Sequence, residues 1–299
     1  MGPGPVVVQA CDGWPLGVRR VRAVGEAHGT VLLLHAMMVD ARTFDRPAGR
    51  GLQQTLRAAG LDVVVADFRG HGDSGPGASE GGTWSYEDLV LRDLPALVAA
   101  ARRWGRGRLG VVGHSLGGHV TAAALAAGAV HVDALVCLAA NVWLAASEPS
   151  LRVRAAKAVG LAGLQGAALL AGRVPARRLG LGSTDEAGPY ADDLGRPFWQ
   201  QRWGTRDARQ DWLAGLGRVG VPTLAVVARG DRLLARPAGA LGWAAHLPAV
   251  QTRVVGDPDA GVLDHMGVLT NAEARGIHTE LAAWLVGVLA LDGGSGSGT

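Results

Sequence analysis

The segment Leu109–Gly110–Val111–Val112–Gly113–His114–Ser115–Leu116–Gly117 is followed by an Ala-rich stretch that ends at Ala127. The apolar start is typical of a buried strand and the Ala-rich stretch of a helix. Between them, Gly113–Gly117 has the form Gly-x-Ser-x-Gly, which holds a serine at a sharp strand-to-helix turn. The two glycines are needed there because the backbone approaches itself closely and leaves no room for side chains. The segment therefore predicts a strained serine, Ser115, at the N-terminus of a helix.

Strand and helix patterns alternate along most of the chain. Short continuous apolar runs indicate strands that are buried on both faces. This alternation predicts an α/β fold, a doubly wound and mostly parallel sheet with helices on both faces. A capping pair, Ser85 and Asp88, predicts the start of a helix that Pro95 kinks. The predicted strands are Val18–Val24, Thr30–His35, Leu61–Ala66, Leu109–Val112, Ala134–Ala139, Thr223–Ala228 and Thr252–Val255, and the main predicted helices are Ser85–Arg103, Leu116–Ala127 and Ala272–Leu289.

One long segment interrupts the alternation. Residues 141–215 contain no clear strand, and they run from an apolar helical stretch through a basic stretch to a Trp- and Arg-containing stretch. Such an insertion between core strands predicts a helical cap over the sheet. The predicted core then consists of residues 1–140 and 216–292. Residues 293–299 are Gly and Ser except for the final Thr, and we interpret them as a flexible tail.

Composition restricts the partners. The 299 residues include 29 basic and 26 acidic side chains, and no basic cluster with interleaved aromatic residues indicates a nucleic-acid partner. Cys11 and Cys137 lie far apart in apolar stretches, so we expect core thiols and no metal pair or disulfide. The apolar stretch Ala158–Gly172 is shorter than the ~20 residues that cross a bilayer, so no stable membrane insertion is expected. The N-terminal residues have no signal-like pattern, which predicts a cytoplasmic protein. No cofactor is predicted.

A serine hydroxyl needs a base to act as a nucleophile. Of the nine histidines, His265 lies between the last predicted strand and the last predicted helix. In a doubly wound sheet that loop emerges at the carboxyl ends of the strands, where ligands bind. The alternative is a solvated loop histidine. His265 is the predicted base.

The base in turn needs a carboxylate that fixes its tautomer. Asp231 follows the predicted strand that ends at Ala228, and the chain order Ser115, Asp231, His265 suits this type of sheet. A turn-forming aspartate is the alternative for Asp231. Three other carboxylates are nearer His265 in sequence and remain rivals: Asp257, Asp259 and Asp264.

Fixed N–H donors must also stabilise an oxyanion. The backbone amide of Leu116, directly after the serine, is one candidate, and the amide of Met37, in the loop after the strand ending at His35, is the other. For substrate contacts we name Trp143, Met38 and His114, although Trp143 is equally a packing residue. The apolar run Ala158–Leu170 is expected to face the site.

Taken together, these motifs resemble the α/β-hydrolase superfamily. The resemblance covers residues 1–140 and 216–291, with Leu32–His35, Asp67–Ser74, Gly113–Gly117, Gly230–Asp231 and Asp264–His265 in the expected order. It implies a Ser–His–Asp triad of Ser115, His265 and Asp231, with the Met37 and Leu116 amides as the oxyanion hole. Members usually have Gly after the strand-ending His, where this chain has Ala36, and we expect a narrower or reoriented pocket there. In the cap, Arg177–Gly182 is similar to an uncharacterised bacterial subgroup.

The resemblance implies a serine hydrolase, and we expect cleavage of a carboxylic ester with an apolar acyl or alcohol group. A thioesterase or acyltransferase for a carrier-linked acyl chain is the first alternative, with Arg173, Arg177 and Arg178 as a receptor for the carrier's phosphate. A non-catalytic binder on the same fold is the second. Superfamily members with an Asp nucleophile, the haloalkane dehalogenases and epoxide hydrolases, are disfavoured by Ser115. No metal site is predicted, because the sequence has no His or Cys cluster with ligand spacing.

Overall fold

A computed structural model describes residues 4–257 and 263–290. Eight strands form one sheet, and a pair of two-residue strands lies outside it. The sheet order is β1-β2-β4-β3-β5-β6-β9-β10, in which β1 and β2 are antiparallel to their neighbours and all the others are parallel. The strands are β1 Val6–Gln9, β2 Pro15–Val21, β3 Gly29–Leu34, β4 Leu61–Ala66, β5 Leu109–His114, β6 Ala134–Leu138, β7 Arg173–Val174, β8 Glu186–Ala187, β9 Thr223–Ala228 and β10 Val250–Val255.

Helices cover both faces of this sheet. The α-helices are α1 Leu52–Ala58, α2 Tyr86–Asp88, α3 Leu94–Trp104, α4 Leu116–Ala126, α5 Leu151–Ala171, α6 Gly188–Gln200, α7 Trp212–Gly215, α8 Pro237–Ala244, α9 Gly267–Thr270 and α10 Arg275–Leu289. The predicted doubly wound α/β fold is therefore confirmed.

The inner strands are apolar because both of their faces are buried. Every residue of β3, β4, β5, β6 and β9 is buried. Alternate residues of one strand enter different cores, as the period of two in a strand requires. Along β3, Leu32 and Leu34 join the core under α3 and α4, whereas Val31 and Leu33 join the core under α1 and α10. The sheet thus fixes the positions of the strand ends that carry the candidate site.

The capped helix after Ser85 forms as predicted, with an irregular turn. Ser85 Oγ accepts from the N–H of Asp88, and a carboxylate oxygen of Asp88 accepts from the N–H of Ser85 at 2.8 Å. The next turn, Leu89–Asp93, is π-helical, and Pro95 then lies in the first turn of α3. Proline has no N–H for the helical ladder, which accounts for an irregular turn just before it.

The N-terminal strands differ from the prediction. β1 was not predicted, because it is a short edge strand whose Val6 and Val7 are exposed. β2 begins and ends three residues earlier than predicted. The strand contains Gly17, where a larger residue would not fit because its Cβ would overlap Asp73. It ends at Val21, and just beyond it the N–H of Ala23 donates to the carboxylate of Asp62.

The cysteines also differ from each other in their surroundings. Cys11 lies exposed in the turn between β1 and β2, so its assignment as a core thiol was wrong, whereas Cys137 is buried in β6. Cys11 itself lies in the exposed turn of an edge hairpin, although the nearby Val8, Ala10 and Leu16 are buried in the core under α3 and α4.

The segment between β6 and β9 is mostly helical, and we refer to it as the cap. It contains α5, α6 and α7, but also the pair β7–β8, which was not predicted. Near the predicted end of the cap at residue 215, Trp212 of α7 belongs to the core under α3 and α4, and Gly215 packs against Ala126 of α4. No helix among the described residues is long and apolar enough to cross a membrane.

Helix α5 presents only one face to the inside. Gly160 and Leu164 line the cavity described below, whereas Val159, Leu169 and Leu170 are 74%, 86% and 90% exposed. The expectation that the whole run Ala158–Leu170 faces the site therefore fails, because a helix turns adjacent residues toward different sides.

Candidate active site

Ser115 lies at the sharp turn between β5 and α4. Its backbone has φ 50° and ψ −109°, a sparsely populated conformation of the kind that persists at functional sites. Its N–H donates to the carbonyl of Leu138 at 2.8 Å, which fixes the turn on the neighbouring strand. A Cβ at Gly113 would overlap the backbone of α4, and one at Gly117 would overlap the end of β3. Both glycines are therefore required for the turn that presents Ser115.

A short hydrogen bond joins His265 to Asp231. The distance between Nδ1 of His265 and Oδ2 of Asp231 is 2.6 Å. Asp231 is buried, and it also accepts the N–H groups of Ala235 at 2.8 Å and Leu233 at 3.3 Å. Burial raises the pKa of Asp231, but the hydrogen bond and charge of His265 and the backbone donors outweigh it and hold that pKa below its usual value. An ionised Asp231 orients the ring so that Nε2 is left for another partner.

Among the three rival carboxylates, Asp264 is engaged elsewhere. Asp264 instead accepts the N–H groups of Met266 and Gly267 with one oxygen, which starts helix α9. Asp257 lies directly before the undescribed residues 258–262, and Asp259 lies outside the described residues. Because Nδ1 of His265 is engaged by Asp231, the geometry favours Asp231 as the acid.

His114 supports His265 and does not face the cavity. Its side chain is fully buried, and its Nε2 lies 2.9 Å from the backbone carbonyl of His265. Burial and the nearby His265 lower the pKa of His114 to about 3, so the neutral ring donates from Nε2 to that carbonyl. The prediction that His114 contacts substrate is not supported, since β5 directs this side chain into the protein, beneath the histidine loop.

Ser115 and His265 line one cavity of about 380 Å³ between the sheet and the cap. Trp143 and Met38, both predicted as substrate-binding, line it as well, and the indole of Trp143 donates to the carbonyl of Leu234 at 2.7 Å. Most other lining side chains are apolar, and they include Leu164 of the cap. The cavity can therefore take an apolar group beside Ser115.

The predicted oxyanion donors have no hydrogen-bond acceptor within the described part of the chain. The N–H groups of Met37 and Leu116 make no hydrogen bond to any described residue. Met37 and Ala36 line the cavity, so the loop after β3 reaches it although Ala36 replaces the usual glycine. Unengaged amides beside a nucleophile are what stabilisation of an oxyanion requires.

Met38, the next residue of this loop, is held by the cap on both of its backbone groups. Its φ of 61° is left-handed. Its carbonyl accepts the N–H groups of Ser183 at 2.7 Å and Thr184 at 3.0 Å, and its N–H donates to Oε1 of Glu186 at 2.6 Å. We call these contacts the cap clamp. They fix the loop that carries the Met37 amide.

Glu186 forms an ion pair beneath the clamp. Its Oε1 lies 3.0 Å from Nε2 of His71, and both side chains are almost completely buried. Burial lowers the pKa of His71, but the charge of Glu186 and their hydrogen bond outweigh it and raise that pKa to about 8. His71 is therefore protonated at neutral pH and stabilises the carboxylate that bonds Met38.

The cap arginines lie away from the cavity. Arg173 bonds to Asp185 at 3.3 Å, and the side chains of Arg177 and Arg178 are exposed. None of the three is among the described residues that line the cavity. Their predicted role as a phosphate receptor beside the site gains no support from this position.

Three contributing residues were missed in the sequence. Glu186 and Tyr86 come from segments distant from the motif, and His119, four residues after Ser115, was not named as a site residue. Tyr86 and His119 line the cavity, and their side chains bond to each other at 2.8 Å. Of these three residues, only His119 had a local signal in the sequence: it lies one helical turn after Ser115 and therefore on the same side of the helix.

Comparisons with known proteins identify the family and the fold. A family model described as serine aminopeptidase, S33, matches residues 25–253. Among solved structures, an esterase from Exiguobacterium antarcticum has TM-score 0.63 and 17% identity over 96% of this chain and 100% of its own. A thermophilic esterase from Thermogutta terrifontis has TM-score 0.63 and 18% identity over 96% and 100%.

A hydrolase from Pseudomonas aeruginosa is similar at TM-score 0.61 and 20% identity, over 94% of this chain and 98% of its own. At such identities these structures establish a common fold. A search of curated proteins finds no sequence match. The match to the family model spans most of the chain, including the serine turn, the cap and Asp231. The chain therefore belongs to the serine aminopeptidase S33 family of α/β-hydrolase enzymes.

Proposed function

We propose that the protein is an esterase that cleaves a carboxylic ester with an apolar acyl or alcohol group through an acyl-enzyme on Ser115. The observation that carries this proposal is the shared cavity. It places a strained serine and a carboxylate-bonded histidine beside mostly apolar side chains. The solved esterases with this fold support the same class of substrate.

In the proposed mechanism, Oγ of Ser115 attacks the ester carbonyl while Nε2 of His265 removes its proton. Asp231 stabilises the imidazolium that forms. The amides of Met37 and Leu116 donate to the oxyanion, and their charge stabilisation is largest in the transition state. His265 then returns the proton to the leaving alcohol, and a water molecule hydrolyses the acyl-enzyme by the same route.

Labelling with a fluorophosphonate tests this assignment. We expect Ser115 to react alone, because it is the serine with both a base and free amide donors. Ser115→Ala should abolish labelling and lower kcat by up to ~10⁶. The matched control is Ser79→Ala at an exposed serine, which should label like the wild type. Labelling of another serine in Ser115→Ala would overturn the assignment.

The leaving group needs a second experiment, because thioesters and amides use the same chemistry. Alkyl esters, acyl-thioesters and aminoacyl anilides of matched acyl groups should be compared by kcat/KM. We expect the esters to be preferred, since no described cavity residue is placed as a receptor for a carrier phosphate. A thioester preference of tenfold or more would favour the thioesterase alternative. Absence of turnover with all three classes would favour a binder.

A further inference from the structure

His119 faces the cavity from the helix that follows the nucleophile. It lies four residues after Ser115, and its N–H donates to the Ser115 carbonyl at 3.3 Å, so the two residues are stacked one turn apart on α4. Its side chain is buried but lines the same cavity as Ser115 and His265. The proposed mechanism gives this imidazole no role.

The hydrogen-bond partners of Tyr86 determine the tautomer of His119. The hydroxyl of Tyr86 lies 2.8 Å from Nδ1 of His119, and the indole of Trp203, which can only donate, lies beside the same hydroxyl. Trp203 cannot accept the one hydrogen of this hydroxyl, so among the described residues its acceptor is Nδ1 of His119. Nδ1 therefore carries no hydrogen when the ring is neutral.

The ring is neutral under ordinary conditions. Burial lowers the pKa of His119 to about 3, and the charge of His265 contributes in the same direction. The single N–H is then on Nε2. Within residues 4–257 and 263–290, Nε2 has no hydrogen-bond partner. It keeps some accessible surface, and because His119 lines the cavity, we infer that Nε2 is open to it.

Two features of the cavity restrict which chemical group the Nε2–H of His119 can bind. Most of the cavity wall is apolar, so an unpartnered Nε2–H there is costly when water is displaced. Asp193 also lines the cavity, where its oxygens accept from the N–H of Tyr86 and from Arg206. Neither the neutral imidazole nor Asp193, whose carboxylate is paired with Arg196 and Arg206, offers positive charge to an anionic group, so this donor suits a neutral acceptor.

We propose that the cavity selects esters whose non-reacting part carries a neutral acceptor oxygen, as in a ketone, ether or amide, which binds Nε2–H of His119. This inference rests on the proposed esterase function and specifies its substrate. His119 acts as a specificity-determining residue, because a site built to donate a hydrogen bond rejects an analogue that cannot accept it. The difference expected from one neutral hydrogen bond is roughly tenfold in kcat/KM.

The test uses pairs of esters with nearly equal shape. Methyl heptanoate is compared with derivatives in which one methylene, from the fourth carbon outward, becomes a carbonyl. A second series makes the same replacement in the alcohol part of heptyl butyrate. In the wild type, at least one oxo ester should exceed its parent about tenfold in kcat/KM. Equal values throughout both series would overturn the inference.

Variants at His119 show whether the preference comes from its ring. His119→Leu should reduce the oxo-to-parent ratio to about one, and His119→Gln, whose amide retains a donor near the position of Nε2, should restore part of it. The control His278→Leu removes a buried imidazole that bonds Val268 outside the cavity, and it should keep the wild-type ratio. Persistence of the preference in His119→Leu would overturn the inference.

A measurement on the wild type covers the case in which variants do not fold. Nitrogen-15 NMR of labelled histidines should show the Nε2–H tautomer for His119, and an Nδ1–H tautomer would contradict the proposal. Hydrolysis that persists in Ser115→Ala would overturn the proposed function. Ser115-dependent hydrolysis without an oxo preference would overturn only the role of His119.

Discussion

Asp231 shows at the scale of a single residue how the fold selects one carboxylate among several. It follows β9 by three residues, and the N–H groups of Leu233 and Ala235 fix its oxygens. Asp264 is adjacent to His265 in sequence, but its carboxylate is bound to the start of α9. A carboxylate that is held by fixed backbone donors orients an imidazole with little loss of entropy.

We expect Asp231→Asn to lower kcat by ~10⁴, because an amide at this position favours the wrong tautomer of His265. Asp264→Asn should cost far less, since an asparagine also accepts hydrogen bonds at a helix start. The measurement is kcat for one ester at neutral pH, with the folding of each variant checked by circular dichroism. A severe loss of kcat in Asp264→Asn, together with a nearly normal kcat in Asp231→Asn, would show that the acid is the loop residue Asp264.

The sequence predicted these residues to different degrees. Ser115 was predictable because its motif acts through local geometry, and the strand ends placed Asp231 and His265 at one edge of the sheet. Glu186 and the Tyr86–His119 pair were not predictable, because their roles arise from contacts between segments far apart in the chain. His114 was misassigned because the motif does not tell which side of β5 its ring takes.

At the scale of elements, the cap clamp connects the loop after β3 to the segment before α6. Glu186 accepts the N–H of Met38, whereas the N–H of Met37 has no acceptor among residues 4–257 and 263–290. Asp185, its neighbour in sequence, is also a buried carboxylate, but it bonds Arg173 and the N–H of Arg177 within the cap. These two residues form a matched pair for testing the clamp.

Glu186→Ala should lower kcat roughly hundredfold with a small change in KM, the scale observed when an oxyanion donor is lost. Glu186→Gln keeps an acceptor oxygen for Met38 and should recover part of that loss. Asp185→Ala should change kcat only a few-fold. The measurement is kcat and KM separately for one ester, and an equal loss in Asp185→Ala would show that the cap is merely destabilised.

The inner face of α5 should set the preferred length of the apolar group. Gly160 lines the cavity and has open space where a Cβ would be, so Gly160→Leu should fill part of the cavity. We expect lower kcat/KM for long acyl esters and little change for acetate, because each excluded CH₂ forfeits ~0.8 kcal/mol of burial.

The control for this change is Gly163→Leu, at a glycine of the same helix that is exposed and does not line the cavity. Both variants replace a glycine of α5 with leucine, so the substitution changes helix propensity equally in the two. The chain-length profile of kcat/KM for straight-chain esters is the measurement. A profile that shifts equally in both variants would show that α5 does not contact the substrate.

At the scale of the whole molecule, the buried pair of His71 and Glu186 links folding to pH. His71 has a pKa of about 8 in the folded protein, against 6.5 for an ordinary histidine. A pKa raised by folding contributes stability that is complete below the ordinary value and is lost as the pH rises through the raised one. The size of this contribution is about 2 kcal/mol.

We therefore expect the stability advantage of the wild type over Glu186→Gln to shrink between pH 6.5 and 9. The comparison with the variant is needed because His35, His114 and His119 have pKa values lowered to about 3, and their effect on the pH dependence is common to both proteins. Urea unfolding at several pH values gives the free energies of unfolding. A constant difference between the two proteins over this range would contradict the role of the pair.

The overall architecture was more predictable than the cap. The inner strands are continuous apolar runs, and a parallel sheet follows from their alternation with helices. The edge strand β1 and the short pair β7–β8 lack such a signal, because their stability comes from neighbours and not from their own composition. Within α5, the run Ala158–Leu170 is apolar except for Gln165, so its sequence did not show which face is exposed.

The cap clamp has a consequence for how such a protein can be altered or evolve. A cap that rests on a core by side-chain packing can be exchanged as a separate module. Here the cap supplies the acceptor and donors for both backbone groups of Met38. A graft of a foreign cap would remove the contacts that shape the loop after β3, so we expect chimaeras to work only when that loop is transplanted together with the segment 183–186.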